Sequence, residues 1–378
     1  LVRHVLDFVA RPVQVASSLG SSPTWLWQRA SGRETVHQLL DGHVADIKFF
    51  PSGEKLVAAG ADGQSLILSV VSGRPLVALE RGHGPGFGVA EVHVFPRGDR
   101  VITMGSDGQA AIFDAASGRL LRHLGARPLG RHVVARVFPD GERIATGVSH
   151  AVGSPVVVWN ASDGRVIHSL RNPPNARICF MELSPCGKML VTAAAMAVTS
   201  VWDAASGRLL RELPGASLHL ATGLAVSADA AVVATSTTGG KIFLWDGRSG
   251  RLRRTLMVRG GIATFALFAG GRRIVVASET AALVHDTGDG EVLHELDGAS
   301  GELQRIAVSP DGEVVAACGA APRWWGGMRT GIWNGSTGQR LYTITGEDSD
   351  MGVFYFGPSL PCSVDVGPTG SLSGWLAL

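Results

Sequence analysis

Short apolar runs, each closed by a turn signal, recur from one end of the chain to the other. Leu56-Val57-Ala58-Ala59-Gly60, Leu190-Val191-Thr192-Ala193-Ala194 and Val232-Val233-Ala234-Thr235 consist of small and β-branched residues without polar alternation. That pattern predicts strands buried on both faces. A turn precedes many of these runs, as at Pro51-Ser52-Gly53, Pro96-Arg97-Gly98, Pro139-Asp140-Gly141 and Pro310-Asp311-Gly312. Proline fixes φ for such a turn, and glycine supplies the positive φ that closes it. A different kind of run follows further on: Arg119-Leu120-Leu121-Arg122, Arg208-Leu209-Leu210-Arg211-Glu212 and Arg251-Leu252-Arg253-Arg254. Charges of this kind mark a strand at the free edge of a sheet, where they discourage pairing with other chains. Each unit therefore reads as four short strands, with small residues inside and charged ones outside.

The unit repeats. Val201-Trp202-Asp203-Ala204-Ala205-Ser206-Gly207-Arg208-Leu209-Leu210 has relatives at Phe113-Asp114…Ser117-Gly118, Trp159-Asn160…Asp163-Gly164 and Trp245-Asp246…Ser249-Gly250. More diverged copies begin at Trp27, Leu68, His285, Trp333 and Trp375. Taking that first position, the copies fall at 27, 68, 113, 159, 202, 245, 285, 333 and 375, in steps of 40 to 48 residues. A period near 40 residues made of four strands predicts four-stranded sheets repeated about an axis, an all-β propeller.

At these residues the chain resembles the WD40-repeat family across essentially its full length. The matching motifs are Trp202-Asp203 and Trp245-Asp246, Gly42-His43 and Gly82-His83, and the turns Asp62-Gly63 and Asp107-Gly108. The resemblance implies a buried tetrad of His, Asp, Ser or Thr, and Trp that rigidifies a blade. The two units with Gly-His and the turn Asp carry Leu68 and Phe113 where Trp is expected, so no unit holds all four members. The repeat positions are then Trp27, His43, Asp62, His83, Asp107, Phe113, Trp159, Trp202, Asp203, Trp245, Asp246 and Trp333. The expected organisation is one propeller over residues 1–378: a degenerate first repeat at 1–40, seven fuller repeats at 41–344 and a partial closing repeat at 345–378. This favours eight four-stranded blades with a terminal overlap; the alternative is seven blades plus the start of a second propeller.

Composition narrows the function classes. Hydrophobic residues make up 45% and charged residues 17% of the 378, which argues against long disorder. Four of the 34 basic residues are Lys, so thirty are Arg, but they are interleaved with acids and the net charge is +2. That distribution argues against nucleic-acid binding. No apolar run approaches the length of a membrane-spanning helix, about 20 residues. Cys179, Cys186, Cys318 and Cys362 have no metal-ligand spacing, and free thiols in a reducing, cytoplasmic setting are expected. The start at Leu1 lacks an initiator Met and a signal-peptide pattern, as an excerpt or processed product would.

The candidate chemistry is sparse. Gly82-His83-Gly84-Pro85-Gly86-Phe87-Gly88 precedes an alternating strand pattern, whereas a phosphate loop opens a helix. Thr238-Gly239-Gly240-Lys241 reads as a turn into the strand ending at Trp245. Asn160-Ala161-Ser162 and Asn334-Gly335-Ser336 fit the glycosylation pattern but stand where Trp-Asp would be, so a turn role is expected. No catalytic constellation, metal set or cofactor motif is found, and the innermost strands read as mainly small and apolar. The candidate recognition surface is the longest insertion, Arg323-Trp324-Trp325 with Met328 and Arg329, joined by the shorter insertion at His150. Trp and Arg are enriched at interaction hot spots. These features predict a non-catalytic scaffold for other proteins. The alternatives are a channel that binds a small ligand or catalyses, and a sensor domain of a larger protein.

Overall fold

The computed structural model describes strands at 13–19, 24–30, 33–40 and 362–365 and most of residues 44–345, apart from short segments such as 125–132, 149–154, 214–220 and 321–327. Strands are numbered β1 to β32 in chain order, and the described residues contain no helix. Seven blades are built from consecutive strands, each a four-stranded antiparallel sheet. One of them runs β16 (Arg177–Leu183), β17 (Met189–Ala195), β18 (Thr199–Asp203) and β19 (Leu209–Leu213). An eighth four-stranded sheet unites the two ends of the chain: β1 (Val13–Leu19), β2 (Thr24–Ala30) and β3 (Arg33–Leu40) are joined by β32 (Cys362–Asp365). Ala16 pairs with Asp365 and Leu19 with Cys362, antiparallel.

The first strands of the blades are β4 (Val44–Phe49), β8 (Val89–Val94), β12 (Val133–Val137), β16, β20 (Ala221–Val226), β24 (Thr264–Leu267) and β28 (Glu302–Val308). Each lies beside the next, and β32 lies between β28 and β4. These strands are therefore innermost and line a central channel. Residues 1–40 were expected to supply a whole first repeat; instead β32 supplies its innermost strand, while the segment from His4 to Ala10 lies outside the described residues. A terminal overlap of this kind pairs two strand edges that would otherwise stay open.

The hydrophobic core sits between blades. One cluster joins Val57, Ala59, Ile67 and Leu79 of one blade to Val92, Val101, Ala111 and Phe113 of the next. The following cluster joins Phe95, Ile102, Met104 and Ile112 to Ala135, Ile144 and Trp159. Second strands are covered on both sides, as their unbroken apolar runs predict: Leu56 through Ala59 and Val232 through Thr237 are all buried. Outermost strands are mostly exposed, and they carry the charges.

A second device ties neighbouring blades at three turns between first and second strands, two of them Pro-x-Gly and one Ala269-Gly270-Gly271. Where the residue before the turn is Phe and the one after it Arg, the guanidinium lies over the ring. The distances to the ring centroid are 4.3 Å for Arg100 on Phe95, 4.2 Å for Arg143 on Phe138 and 4.1 Å for Arg273 on Phe268. Each then donates to a backbone carbonyl of the next blade, Gly141, Ala204 and Gly335 respectively, at 2.5–2.8 Å. Where Ser replaces Phe, its hydroxyl takes a backbone N–H instead, as Ser184 does from Met189 at 2.9 Å. The turn thus has two interchangeable chemistries, one local and one that crosses to the neighbour.

Replacing Arg143 with Ala removes the ring contact, the Ala204 hydrogen bond and the ion pair to Asp140. The expected loss is about 2 kcal/mol of unfolding free energy, read from the urea midpoint. Ser184→Ala, which removes only a local bond, is expected to cost about 1 kcal/mol.

Candidate functional site

The repeat positions divide the expected tetrad among blades. Trp159, Trp202 and Trp245 donate through Nε1 to Thr146, Thr192 and Thr235 at 2.7, 3.1 and 3.0 Å. Trp333 differs and donates to the Asp297 carbonyl at 2.9 Å. In the blade where Phe113 stands in place of Trp, His83 bonds Asp107 through Nδ1 at 3.2 Å and Thr103 through Nε2 at 2.8 Å, and the Phe113 ring is buried. Burial pushes the His83 pKa down despite Asp107. Asp62 holds a turn through the Gln64 N–H. Asp203 and Asp246 shape the outer turns, accepting from Ser206 and Ser249. Asn160 and Asn334 accept the corresponding N–H bonds, which gives the two acceptor-like sequences the turn role expected of them.

Of the predicted recognition surface, Arg323, Trp324, Trp325 and His150 lie outside the described residues, as do His43 and the side chain of Trp27. Met328 and Arg329 open β30 (Met328–Asn334), where they pair with Ala320 and Gly319. They are ladder residues at the end of the insertion rather than part of a free loop.

The channel wall corrects another expectation. At the register position of His93, opposite Ile102 in the second strand, the inner strands carry Lys48, His93, Arg136 and Glu182, then Ala225, Ala266 and Ala307. All seven are half-buried. One arc of the wall is therefore charged, and only the other is small and apolar. Arg136 sits at the centre of the charged arc. It donates to Glu182 through Nη2 and Nε at 2.7 and 3.2 Å and to Glu91 through Nη1 at 2.7 Å, so it joins three blades. Glu91 also contacts His93 at 3.0 Å and accepts the Ala135 N–H at 3.3 Å. One blade earlier, Asp46 accepts the Val92 N–H in the same way at 3.0 Å.

Burial alone would push the Glu91 carboxyl up, but Arg136 and His93 outweigh it and hold it far below the usual carboxylate range. Burial likewise opposes charge on Arg136, and Glu182 and Glu91 overcome it and push its pKa up. The arc is a compensated clamp in which Glu91 and Arg136 hold each other charged. Sequence reading missed it because each inner strand contributes only one or two of these residues, about 45 positions apart.

Exposed apolar side chains gather on the outer strands. These are β7 (Pro75–Ala78), β11 (Leu120–Leu124), β15 (Val166–Leu170), β19, β23 (Leu252–Met257) and β27 (Val292–Glu295). Their second residues are Leu76, Leu121, Ile167, Leu210 and Leu293, each 40–50% exposed, with Arg253 in that place in β23. Arg253 turns back to pair with Asp246. The signal in sequence was the motif Gly-Arg-Leu-Leu, read there as edge protection alone.

Eight four-stranded sheets about a common channel make this chain a β-propeller. A family model described as outer membrane protein assembly factor BamB matches residues 190–344, from the second strand of one blade to β31 (Arg340–Thr345). Among solved structures, the crystal structure of the computationally designed Ika8 protein is similar, with a TM-score of 0.67 and 21% identity over 82% of this chain and 93% of that one. That likeness is one of fold. No curated protein matches the sequence.

Replacing Arg136 with Gln leaves two carboxylates facing a neutral group, at an expected cost of about 2–3 kcal/mol at neutral pH. In the native protein, the depressed Glu91 pKa contributes stability above the unfolded value of 4.5, and this is lost as pH falls. The gap between variant and native protein is therefore expected to narrow below about pH 4.5. Urea titrations across that range check both statements.

Proposed function

We propose that this chain is a WD40-type propeller acting as a non-catalytic platform that binds other proteins through its outer rim. One observation carries the reading: a large apolar residue, 40–50% exposed, recurs at one register position of the outer strand in five blades. Scattered surface leucines are ordinary, but a repeated band flanked by Arg is the composition of an interaction surface. The inter-blade core and the Arg staples give that band a rigid mount, which limits the entropy lost on binding. The family description over residues 190–344, an assembly factor, is in keeping with a platform role. The proposal also places the protein inside the cell, where the exposed Cys186 thiol stays reduced.

A second reading, a small ligand held in the channel, is favoured by the charged arc from Lys48 to Glu182. Against it stands the pairing of Arg136 on both sides, which leaves its donors engaged with Glu91 and Glu182.

Cross-linking and mass spectrometry of the full chain in cell extract should place partner contacts on the outer strands. Ile167→Ser with Leu210→Ser should remove them without lowering the unfolding midpoint by more than about 1 kcal/mol. Contacts that map to the channel mouth, or that survive both substitutions, would overturn the rim as the binding surface.

A further inference from the structure

The outer rim contains a carboxylate-binding place that at one blade is filled by a glutamate of the preceding blade. In β11 the N–H of Leu120 donates to Glu80 Oε2 of the preceding blade at 2.8 Å. Leu120 stands at the irregular step where β11 leaves regular pairing opposite Phe113. The residue that the register skips is Leu121; Leu120 lies on the outermost strand of its sheet, where an N–H that faces away from the ladder needs another acceptor. Val166, Leu209 and Leu252 occupy the same step in the next three blades, opposite Trp159, Trp202 and Trp245.

Those three blades lack the internal acid. Glu80 follows the buried Leu79 that ends the sheet contact of its blade. After the corresponding Leu124, Leu170 and Leu213 the sequence has Gly125, Arg171 and Pro214. Exposed arginines stand immediately before Val166, Leu209 and Leu252, namely Arg165, Arg208 and Arg251, with Arg165 3.8 Å from Asp163. The apolar residues are well exposed too, at 54%, 42% and 48%, whereas Leu120, with its own glutamate, is half-buried. Asp203, the acid nearest the middle step, is already engaged by Ser206.

We propose that the rim over β15, β19 and β23 recognises an acidic, leucine-rich extended segment of a partner protein, whose carboxylates take the place that Glu80 holds at Leu120. The carboxylate would accept the backbone N–H and face an Arg, a charge-assisted arrangement, while the alternate apolar residues of the segment cover the exposed Val and Leu. An extended peptide fits better than a nucleic acid, because each notch pairs an N–H and an apolar side chain with a single cation. The inference rests on the rim reading above and narrows it to one chemistry.

The test uses the full chain and a fluorescein-labelled peptide of alternating Leu and Glu, followed by fluorescence anisotropy. Saturable binding that weakens with salt is expected, and the same peptide with Gln for Glu should not bind. Arg165→Glu with Arg208→Glu should weaken binding about ten-fold or more. Glu80→Ala should increase the peptide bound at saturation, because it opens the place at Leu120; a variant that merely unfolds cannot do this. Equal binding of the Gln peptide, displacement of the peptide by oligouridylate, or no gain from Glu80→Ala would each overturn the proposal. If the Ile167→Ser, Leu210→Ser protein loses its cellular contacts while the acidic peptide never binds, the rim reading stands and this chemistry falls.

Discussion

A blade of this protein cannot bury its own faces. A four-stranded sheet has two sides, and here both are apolar along the second strand, so each blade is stable only against a neighbour. The clusters that run from Val57 to Val101 and from Ile102 to Ile144 show this directly: every one belongs to two blades. Closure follows from the same constraint. The terminal blades of an open row would each leave one apolar face in water, at about 25 cal/mol for each Å² exposed. The sheet made by β1, β2, β3 and β32 covers both, and it does so by drawing the two ends of the chain together.

Polar contacts then refine what packing builds. Arg100, Arg143 and Arg273 stack on a ring in their own blade and bond a carbonyl in the next, so each resists rotation of one sheet against the other. Arg136 plays a related part at the channel, spanning three blades through Glu91 and Glu182. Half-buried charges are worth keeping only when compensated, and here the Arg136 guanidinium has an acid on either side. Among the described residues the charged arc occupies four successive inner strands, and alanines hold the equivalent places in the next three. The ring is thus regular in backbone and unequal in chemistry.

The repeat, the strand order and the buried second strands were legible in sequence because each is an unbroken apolar run, a turn signal or a recurrence near 43 residues. The terminal sheet was only half legible. A strand of four residues, Cys362–Asp365, has too little pattern to announce that it completes a sheet begun at Val13. The channel arc was hidden for a different reason. Glu91, Arg136 and Glu182 sit in separate strands of mostly apolar residues, and only the ring brings them within hydrogen-bond reach. The tetrad was legible as a shortage, since Phe113 and Leu68 stand where Trp would be. How the pieces are shared was not: Thr serves Trp in three blades and His83 in another.

The outer strands show why a sequence motif and its energetic role can diverge. Gly-Arg-Leu-Leu protects an edge through its Arg, yet the second Leu is left 48% exposed at Leu121 and 42% at Leu210. Edge protection alone would be served better by a second charge, as Arg253 shows where it replaces that Leu and pairs with Asp246. An apolar residue kept at the same exposed step of five blades costs solubility and contributes little to the core. The physical return on such a residue comes when another surface covers it, and a rigid ring presents five of them in fixed relation.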